Sequence, residues 1–284
     1  MSLRQTTNFK AEALSLETLQ HRAPSIFASG PMLGVSDRYT FVPTARIVSG
    51  LREMDWVAVD VEEQRIRQEK RRGFQKHLIR FRLAGQIASL DEWNLELVLV
   101  NSHDAGCAYQ LHAGIYRRIC SNGLVISDGG FQALRFRHAG LEPEIVVSAS
   151  LRLLAEMPRL GERIEQFRTR ILEPFEAEAF AQRALRLRYP ADVEPPVSPA
   201  TLLTARRPED EGPDLWRVLN RCQEALIQGG AADGHRDRRG RVRSVRALRG
   251  IDSKVDLNKG LWSLAERFAT NEPLSDAPTV TVTA

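Results

Sequence analysis

Apolar and polar residues alternate in several short stretches of the first half of the chain, and this period of two is typical of β-strands with one buried face. The predicted strands are Trp56–Val61, His77–Leu83, Leu95–Val100, Leu124–Ser127 and Phe131–His138. The third of these loses its alternation in its second half, which indicates burial on both sides. Tyr109–Ile119 fits either a strand or a helix, and Asn122-Gly123 predicts a turn. Together these stretches predict a sheet within residues 31–140.

Apolar residues recur at helical spacing in the second half of the chain and in two stretches before it. The predicted helices are Ala11–Gln20, a helix after Thr44 with Ile47, Val48, Leu51 and Met54 on one face, Ile145–Met157, Leu160–Leu172, Phe175–Arg188, Asp214–Gln228 and Leu257–Phe268. Pro158 and Pro174 are expected to separate three of them, because proline removes a backbone hydrogen bond and clashes with the preceding turn. Thr44 is the predicted N-cap of its helix.

The order of these elements predicts the α+β class: a mixed, mostly antiparallel sheet with a basic hairpin, backed and followed by helices. The predicted domains are an N-terminal arm (1–30), an α+β core domain (31–188), a proline-rich linker or loop (189–212), a C-terminal helical region with an arginine-rich loop (213–269) and a disordered tail (270–284).

The overall composition is that of an ordinary globular protein, with 43% apolar and 27% charged residues. No apolar run reaches the length of a membrane span, and the first twenty residues lack the apolar core of a signal peptide. The three cysteines form no C-x-x-C pair, which fits a reducing compartment. We therefore expect a soluble, cytoplasmic protein with no membrane partner.

Positive charge is concentrated in two tracts. The first basic tract, Gln64–Arg82, has eight Lys and Arg against one Glu, and the second basic tract, His235–Arg249, has seven Arg against one Asp. The net charges are 8 − 1 = +7 and 7 − 1 = +6, whereas the whole chain is only +4. Such a distribution predicts that a polyanion, nucleic acid first among them, is held at particular places on the surface.

We expect phosphate contacts along both tracts. In the first tract the candidate nucleic-acid-binding residues are Arg65, Arg67, Lys70, Arg71, Arg72, Lys76, Arg80 and Arg82, with Phe74 as a base-stacking residue. In the second tract they are Arg236, Arg238, Arg239, Arg241 and Arg243, as a mobile second contact. For each tract the alternative is a solvated loop without a partner.

The motifs of common cofactor and catalytic sites are missing: no Walker A, G-x-G-x-x-G after a strand, H-E-x-x-H or G-x-S-x-G occurs. We therefore predict no cofactor and assign no catalytic or metal-binding residue. One group has ligand-type residues at a spacing unlike known zinc sites: His103, Asp104, Cys107, His112 and Cys120. The open enzyme alternatives are a metal-dependent nuclease using Asp60 and Glu62 and a thiol hydrolase using Cys107 or Cys120.

Four stretches carry a resemblance to a known family. They are Gly30–Pro43, His77–Leu83, Leu97–Ser127 and Gly260–Ala269. Over roughly residues 30–270 the chain resembles a phage- and plasmid-borne family catalogued as domain of unknown function 932. It departs from the family pattern where the NSHD turn is followed by Ala105-Gly106 instead of an immediate glycine. The resemblance implies a mobile genetic element and its DNA transactions.

The order of elements, a helix, an antiparallel sheet with a basic hairpin and another helix, is similar to the core of single-strand annealing proteins of the Rad52 type. That similarity implies a ring- or filament-forming homo-oligomer that holds single strands without nucleotide hydrolysis. We therefore expect a non-enzymatic protein that binds single-stranded DNA and assists annealing or recombination. The alternatives are a metal-dependent nuclease and a protein-interaction module that inhibits a host defence factor.

Overall fold

A computed structural model describes residues 12–86, 92–117, 122–126, 134–236 and 239–270. The helices of these residues are α1 (Leu16–Arg22), α2 (Thr44–Glu53), α3 (Pro143–Thr169), α4 (Pro174–Arg188), α5 (Pro199–Leu202), α6 (Leu215–Gln228) and α7 (Ile251–Ala269). The strands are β1 (Trp56–Glu63), β2 (His77–Leu83), β3 (Trp93–Asn101), β4 (Tyr109–Arg117), β5 (Asn122–Ile126) and β6 (Leu134–Phe136).

The six strands form one sheet in the order β1-β2-β3-β4-β5, with β6 also paired to β4. The β1–β2, β2–β3, β3–β4 and β4–β6 pairs are antiparallel. This confirms the predicted α+β class. The alternation of His77–Leu83 gave the bounds of β2 correctly, and the ambiguous stretch after residue 109 is a strand.

The start of β5 corrects one predicted turn. Asn122 and Gly123 are strand residues, although Asn-Gly is typical of a hairpin turn. The glycine has a different effect here, since it leaves room for the guanidinium group of Arg80, which a Cβ at Gly123 would overlap. The same guanidinium group donates a hydrogen bond to the Gly123 carbonyl oxygen at 3.1 Å.

Helix α3 corrects another prediction. It runs without interruption from Pro143 to Thr169 with Pro158 inside it, where we expected two helices. Met157, directly before the proline, and Leu160, two residues after it, are buried. Burial of apolar side chains along this stripe stabilises the helix against the loss of one backbone hydrogen bond.

The chain divides into two compact units. The first comprises Met1–Leu124 and Ala133–Leu154, and the second comprises Val125–Gln132 and Ala155–Ala284. The predicted linker at 189–212 lies within the second unit. That proline-rich segment contains α5 and buries Leu202 and Asp210 in the second unit.

The first unit contains β1 to β4, β6, the start of β5 and the described part of the predicted arm. Helix α1 begins at Leu16, five residues later than predicted, and the Leu14 N–H donates to the Ala58 carbonyl oxygen of β1 at 2.8 Å. Buried Leu19 and Ile26 fix this segment, so residues 12–30 are folded. The arm residues 1–11 and the tail residues 271–284 lie outside the described residues.

The second unit packs α4, α6 and α7 around aromatic side chains. The rings of Phe180 and Phe268 meet edge to face with their centroids 5.2 Å apart, and Phe167 lies 4.9 Å from Trp262. Helix α7 begins at Ile251, six residues before its predicted start. Within the described residues, no helix combines the length and the hydropathy needed to cross a membrane.

Candidate nucleic-acid interface

Two connections of the sheet meet at one end of it. Glu63, the last residue of β1, pairs with His77, the first residue of β2, and His77 in turn pairs with Asn101 at the end of β3. The β1–β2 connection, residues 64–76, is called the basic connection below. It therefore lies beside the β3–β4 connection at residues 102–108, because both leave the sheet at the same end.

The basic connection is an ordered loop. Its ends are joined by a hydrogen bond from the Gln64 N–H to the Lys76 carbonyl oxygen at 2.7 Å, and a short 3-10 helix spans Glu69–Arg71. At Gly73 the backbone takes a φ of 85°, a conformation that glycine adopts without strain. The Gly73 N–H is bonded to the Gln75 side-chain oxygen at 2.6 Å.

Most of the cations in this loop face solvent. Arg65, Arg67, Lys70, Arg71 and Arg72 are exposed, whereas Phe74 and Lys76 are half-buried. Arg72 pairs with Glu69 at 2.5 Å, and Arg71 lies 3.6 Å from Asp104 in the neighbouring connection. In the described part of the chain no ion pair joins Arg65, Arg67 or Lys70 to a carboxylate. The loop therefore presents uncompensated positive charge.

Two arginines of the first basic tract lie elsewhere than predicted. Arg80 and Arg82 of β2 are 8% and 2% exposed, and both pair with the buried carboxylate of Glu96 on β3 at 2.8 Å. The Arg82 guanidinium group also lies 4.1 Å from the centre of the Tyr116 ring. A charged side chain is buried only when it is paired and hydrogen-bonded, and Glu96 provides that pairing here. The prediction that these two arginines line an exposed, phosphate-binding face is wrong.

A buried polar cluster underlies the same end of the sheet. Its centre is the Thr44 hydroxyl group at the start of α2. This oxygen lies 3.0 Å from His77 Nε2, 3.2 Å from His103 Nε2, 3.0 Å from Asn101 Nδ2 and 2.8 Å from the Tyr109 hydroxyl oxygen. All five side chains are fully buried. The cluster thus joins α2 to the ends of three strands.

This cluster corrects the predicted role of Thr44. Pro43 occupies the N-cap position and Thr44 is the first helical residue. A hydroxyl group donates one hydrogen bond and accepts two, so four polar neighbours already exceed its capacity. The Thr44 hydroxyl therefore serves the cluster, and the helix begins without a side-chain cap.

Both histidines of the cluster are held neutral. Burial lowers the pKa of His77 to about 3, and the neighbouring His103 adds to this decrease. Burial also lowers the pKa of His103 to about 4, together with the repulsion that His138 exerts. Neutral rings fit the cluster because no carboxylate is among the groups that bond to Thr44. His103 Nδ1 is buried and has no hydrogen-bond partner among the residues that the structure describes.

The backbone of His103 links the cluster to two surface loops. The His103 N–H donates to the Phe74 carbonyl oxygen of the basic connection at 2.9 Å. The His103 carbonyl oxygen accepts from the Met32 N–H, also at 2.9 Å. The buried cluster therefore fixes the positions of the basic connection and of the loop around Met32 relative to the sheet.

The turn after His103 contains the departure from the family pattern noted above. Ala105 has a φ of 58°, a left-handed conformation that is uncommon for a residue other than glycine. Asp104 stabilises the turn by accepting a hydrogen bond from the Gly106 N–H at 2.9 Å. The same carboxylate faces Arg71, so the turn also contacts the basic connection.

Asp60 and Glu62 are the carboxylates proposed for a nuclease, and Asp60 already has a partner within the chain. Asp60 forms an ion pair with Arg22 at 2.8 Å, and a β-bulge interrupts β1 between Ala58 and Asp60. Glu62 is half-buried beside it. No group of three or more His, Cys, Asp or Glu side chains that could hold a metal ion occurs within the described residues.

The predicted thiol candidates are also distributed differently. Cys107 is half-buried, and its Sγ lies 3.5 Å from the Ser102 hydroxyl oxygen. Cys120 lies outside the described residues. His112 is buried on β4, where its Nε2 lies 3.2 Å from the Gln110 side-chain oxygen, and His103 belongs to the Thr44 cluster. Sequence spacing therefore grouped residues that the fold assigns to separate environments.

The second basic tract is tied to its own unit. Arg236 donates to the Gly240 carbonyl oxygen at 2.6 Å, and Arg243 pairs with Glu194 at 3.0 Å and donates to the Pro195 carbonyl oxygen at 2.9 Å. Arg239 and Arg241 are exposed, and Arg238 lies outside the described residues. Part of this predicted phosphate-binding set is thus engaged within the chain.

The backbone of the second tract is fixed as well. Val245 is buried and forms two hydrogen bonds with the glycine-containing turn after α6. Its carbonyl oxygen accepts from the Gly230 N–H at 2.8 Å, and its N–H donates to the Ala231 carbonyl oxygen at 2.9 Å. A Cβ at Gly229 would come within 2.5 Å of the Ala247 backbone nitrogen, and Gly229 has a φ of 76°. The last part of the predicted mobile loop, from Val245 to Leu248, is therefore hydrogen-bonded to the end of α6 and to the turn after it.

Sequence reasoning missed the Thr44 cluster and Glu96. Glu96 alone had a visible signal, since it interrupts an otherwise apolar strand and so requires a buried partner. Thr44, Asn101 and Tyr109 had none, because their contacts join positions 57 to 65 residues apart.

Comparison with known proteins places the chain in a family. Residues 32–262 match the family model described as domain of unknown function (DUF932). Two proteins of Escherichia coli (strain K12) are similar over 257 residues: UPF0380 protein YfjQ at 35% identity and UPF0380 protein YafZ at 34%, each covering 90% of this chain and 92% of the relative. No solved structure matches the chain, so the similarity to Rad52-type proteins stays a prediction. The chain belongs to the DUF932 family.

Proposed function

We propose that the protein binds single-stranded DNA through the basic connection and assists strand annealing or recombination without nucleotide hydrolysis. The observation that carries this proposal is the ordered loop at the sheet end, with Arg65, Arg67 and Lys70 exposed and unpaired with carboxylates among the described residues. Concentrated like charge repels itself unless counter-charge arrives, and phosphate groups supply it.

Single strands are favoured because an aromatic side chain accompanies the cations. Phe74 is half-buried at the base of the loop, between Arg72 and Lys76 in sequence. Proteins that hold single strands combine phosphate contacts with stacking of bases on aromatic rings. The revised set of contacts in the first tract therefore omits the two buried arginines of β2 and keeps the loop.

The wider setting is part of the same proposal. The protein would act in the cytoplasm, as the product of a mobile genetic element and as a homo-oligomer in the form of a ring or filament. The resemblance in the order of elements to Rad52-type annealing proteins supports the assembly. Asp60 is held by Arg22, and this favours a binding role over metal-dependent cleavage at that position.

The test is binding of a fluorescently labelled oligonucleotide over a salt series. For single strands the slope of log K against log salt is about −0.7 per phosphate contact, so three to five contacts predict a slope of roughly −2 to −3.5. A slope near zero would contradict the proposal. Mixing complementary strands then tests annealing, and cleavage of the oligonucleotide in the presence of Mg²⁺ would contradict a non-enzymatic role.

A further inference from the structure

An exposed leucine lies at the tip of a turn in the first unit. Leu33 is 95% exposed, more than any other large apolar side chain of the described residues. The Val35 N–H donates to the Met32 carbonyl oxygen at 3.3 Å, and Gly34 has a φ of 87°, as the third residue of a type II turn requires. An ordered turn therefore holds this side chain out into solvent.

The leucine turn is a neighbour of the basic connection. Both are hydrogen-bonded to His103, the turn through the Met32 N–H and the basic connection through the Phe74 carbonyl oxygen, each at 2.9 Å. Because the backbone N–H and C=O of one residue are separated by only a few bonds, the two loops leave the same end of the sheet side by side. The leucine turn and the basic connection are thus anchored to the same residue, through the carbonyl oxygen and the N–H of His103.

Exposure by itself is ordinary for a single leucine. What distinguishes Leu33 is the combination of a fixed turn, full exposure and a backbone anchor that its turn shares with the basic connection. An occupant of this surface needs negative charge for the arginines and a flat apolar face for the leucine. Single-stranded nucleic acid offers both, since its bases are unpaired and its phosphates are regularly spaced.

We propose that Leu33 packs against unstacked bases of the strand whose phosphates contact the basic connection. This inference rests on the proposed function and names a second contact of the same site. Minor-groove proteins insert leucine, isoleucine or methionine between the base steps of duplex DNA, so an aliphatic side chain can pack against the face of a base. The contact displaces no counterions, so it contributes affinity without contributing to the salt slope.

The experiment compares Leu33→Ser and Leu33→Met with the unchanged protein, using an oligonucleotide that contains 2-aminopurine. Unstacking raises the fluorescence of this base. We expect the unchanged protein and Leu33→Met to raise it, and Leu33→Ser to lose that increase while binding about tenfold more weakly with the same salt slope. Phe175→Ser is the matched control, because Phe175 is 73% exposed on α4 of the second unit and should bind as the unchanged protein does.

The outcomes separate this inference from the proposed function. If the unchanged protein shows no salt-dependent binding, the proposed function fails and the inference fails with it. If it binds with a steep slope while Leu33→Ser matches it in affinity and fluorescence, only the inference is overturned. A changed sedimentation coefficient for Leu33→Ser would assign the leucine to a contact between copies of the chain and would also overturn it.

Discussion

The two basic tracts are close in charge, yet the fold treats them differently. The basic connection of the first tract projects from a sheet end and leaves Arg65, Arg67 and Lys70 exposed, with no ion pair to a carboxylate in the described part of the chain. In the second tract Arg236 and Arg243 bond to groups of their own unit, and the backbone is pinned to the end of α6. A count of arginines in the sequence is therefore a poor guide to available charge.

The same contrast divides the first tract itself. Its loop is exposed, whereas its strand buries Arg80 and Arg82 on the carboxylate of Glu96. One carboxylate for two arginines leaves a net positive charge in the interior, which is stable only while the pairing geometry is kept. The strand arginines are thus engaged inside the sheet, whereas Arg65 and Arg67 of the loop are exposed and available for a ligand.

The largest expected effect comes from breaking the buried pairing. Glu96→Ala should lower the free energy of unfolding by about 3–5 kcal/mol, because two buried guanidinium groups lose their counter-charge. Urea denaturation measures it. Glu69→Ala removes the exposed partner of Arg72 and is the matched control, with little change expected. If both variants unfold at the same urea concentration, Arg80 and Arg82 are not held as described.

Acid should weaken the buried cluster that positions the basic connection. The folded-state pKa of His77 is about 3, below its unfolded value of 6.5, so the unfolded state binds the extra proton between these limits. Stability therefore falls as the pH is lowered through this window, with a slope approaching about 1.4 kcal/mol per pH unit. Urea denaturation over this range should show a shallower slope for His77→Asn than for the unchanged protein. Equal slopes in the two proteins would contradict the burial of a neutral His77.

A pair of glycine substitutions tests the fixed backbone of the second tract. Gly229→Ala adds a Cβ against the backbone of residues 245–247 at a positive φ and should lower the free energy of unfolding by about 2–3 kcal/mol. Gly240 also has a positive φ, but open space surrounds it, so Gly240→Ala should cost less. Thermal unfolding monitored by circular dichroism compares the two. An equal decrease in both variants would mean that the close approach at Gly229 contributes nothing.

Matched charge removal tests which tract binds DNA. Replacing Arg65, Arg67 and Lys70 by alanine should weaken binding roughly 10- to 100-fold and flatten the salt slope by about 2, since three phosphate contacts are lost. Replacing Arg236, Arg239 and Arg241 by alanine removes the same charge from the second tract. We expect about a twofold loss or less, because hydrogen bonds within the chain already engage part of that tract. The reverse order of effects would move the site to the second tract.

Local patterns predicted the parts of the fold that depend on local chemistry. Alternation located His77–Leu83 to the residue, and helical spacing located α2, α4 and α6 within one or two positions. Two local rules failed. The expectation that proline ends a helix failed at Pro158, where packing along α3 outweighs the local preference. The expectation that Asn-Gly forms a turn failed at Asn122-Gly123, where the glycine makes room for a distant arginine.

Only part of the candidate site was predicted, because only part of it depends on local sequence. Exposed loop cations need no partner and can be identified from charge alone, so Arg65 to Arg72 were found. The fate of Arg80 and Arg82 depends on Glu96, 14 to 16 residues later, and the Thr44 cluster depends on contacts over still longer separations. Neither is encoded in any single window of the sequence.

Hydrogen exchange with and without a single-stranded oligonucleotide tests the central claim most directly, because it locates the contact without any substitution. Backbone amides of the basic connection at residues 64–76 should gain protection on binding, together with those of the turn at 32–35, while residues 239–249 should exchange unchanged. Protection confined to residues 239–249, with none at 64–76, would contradict the account.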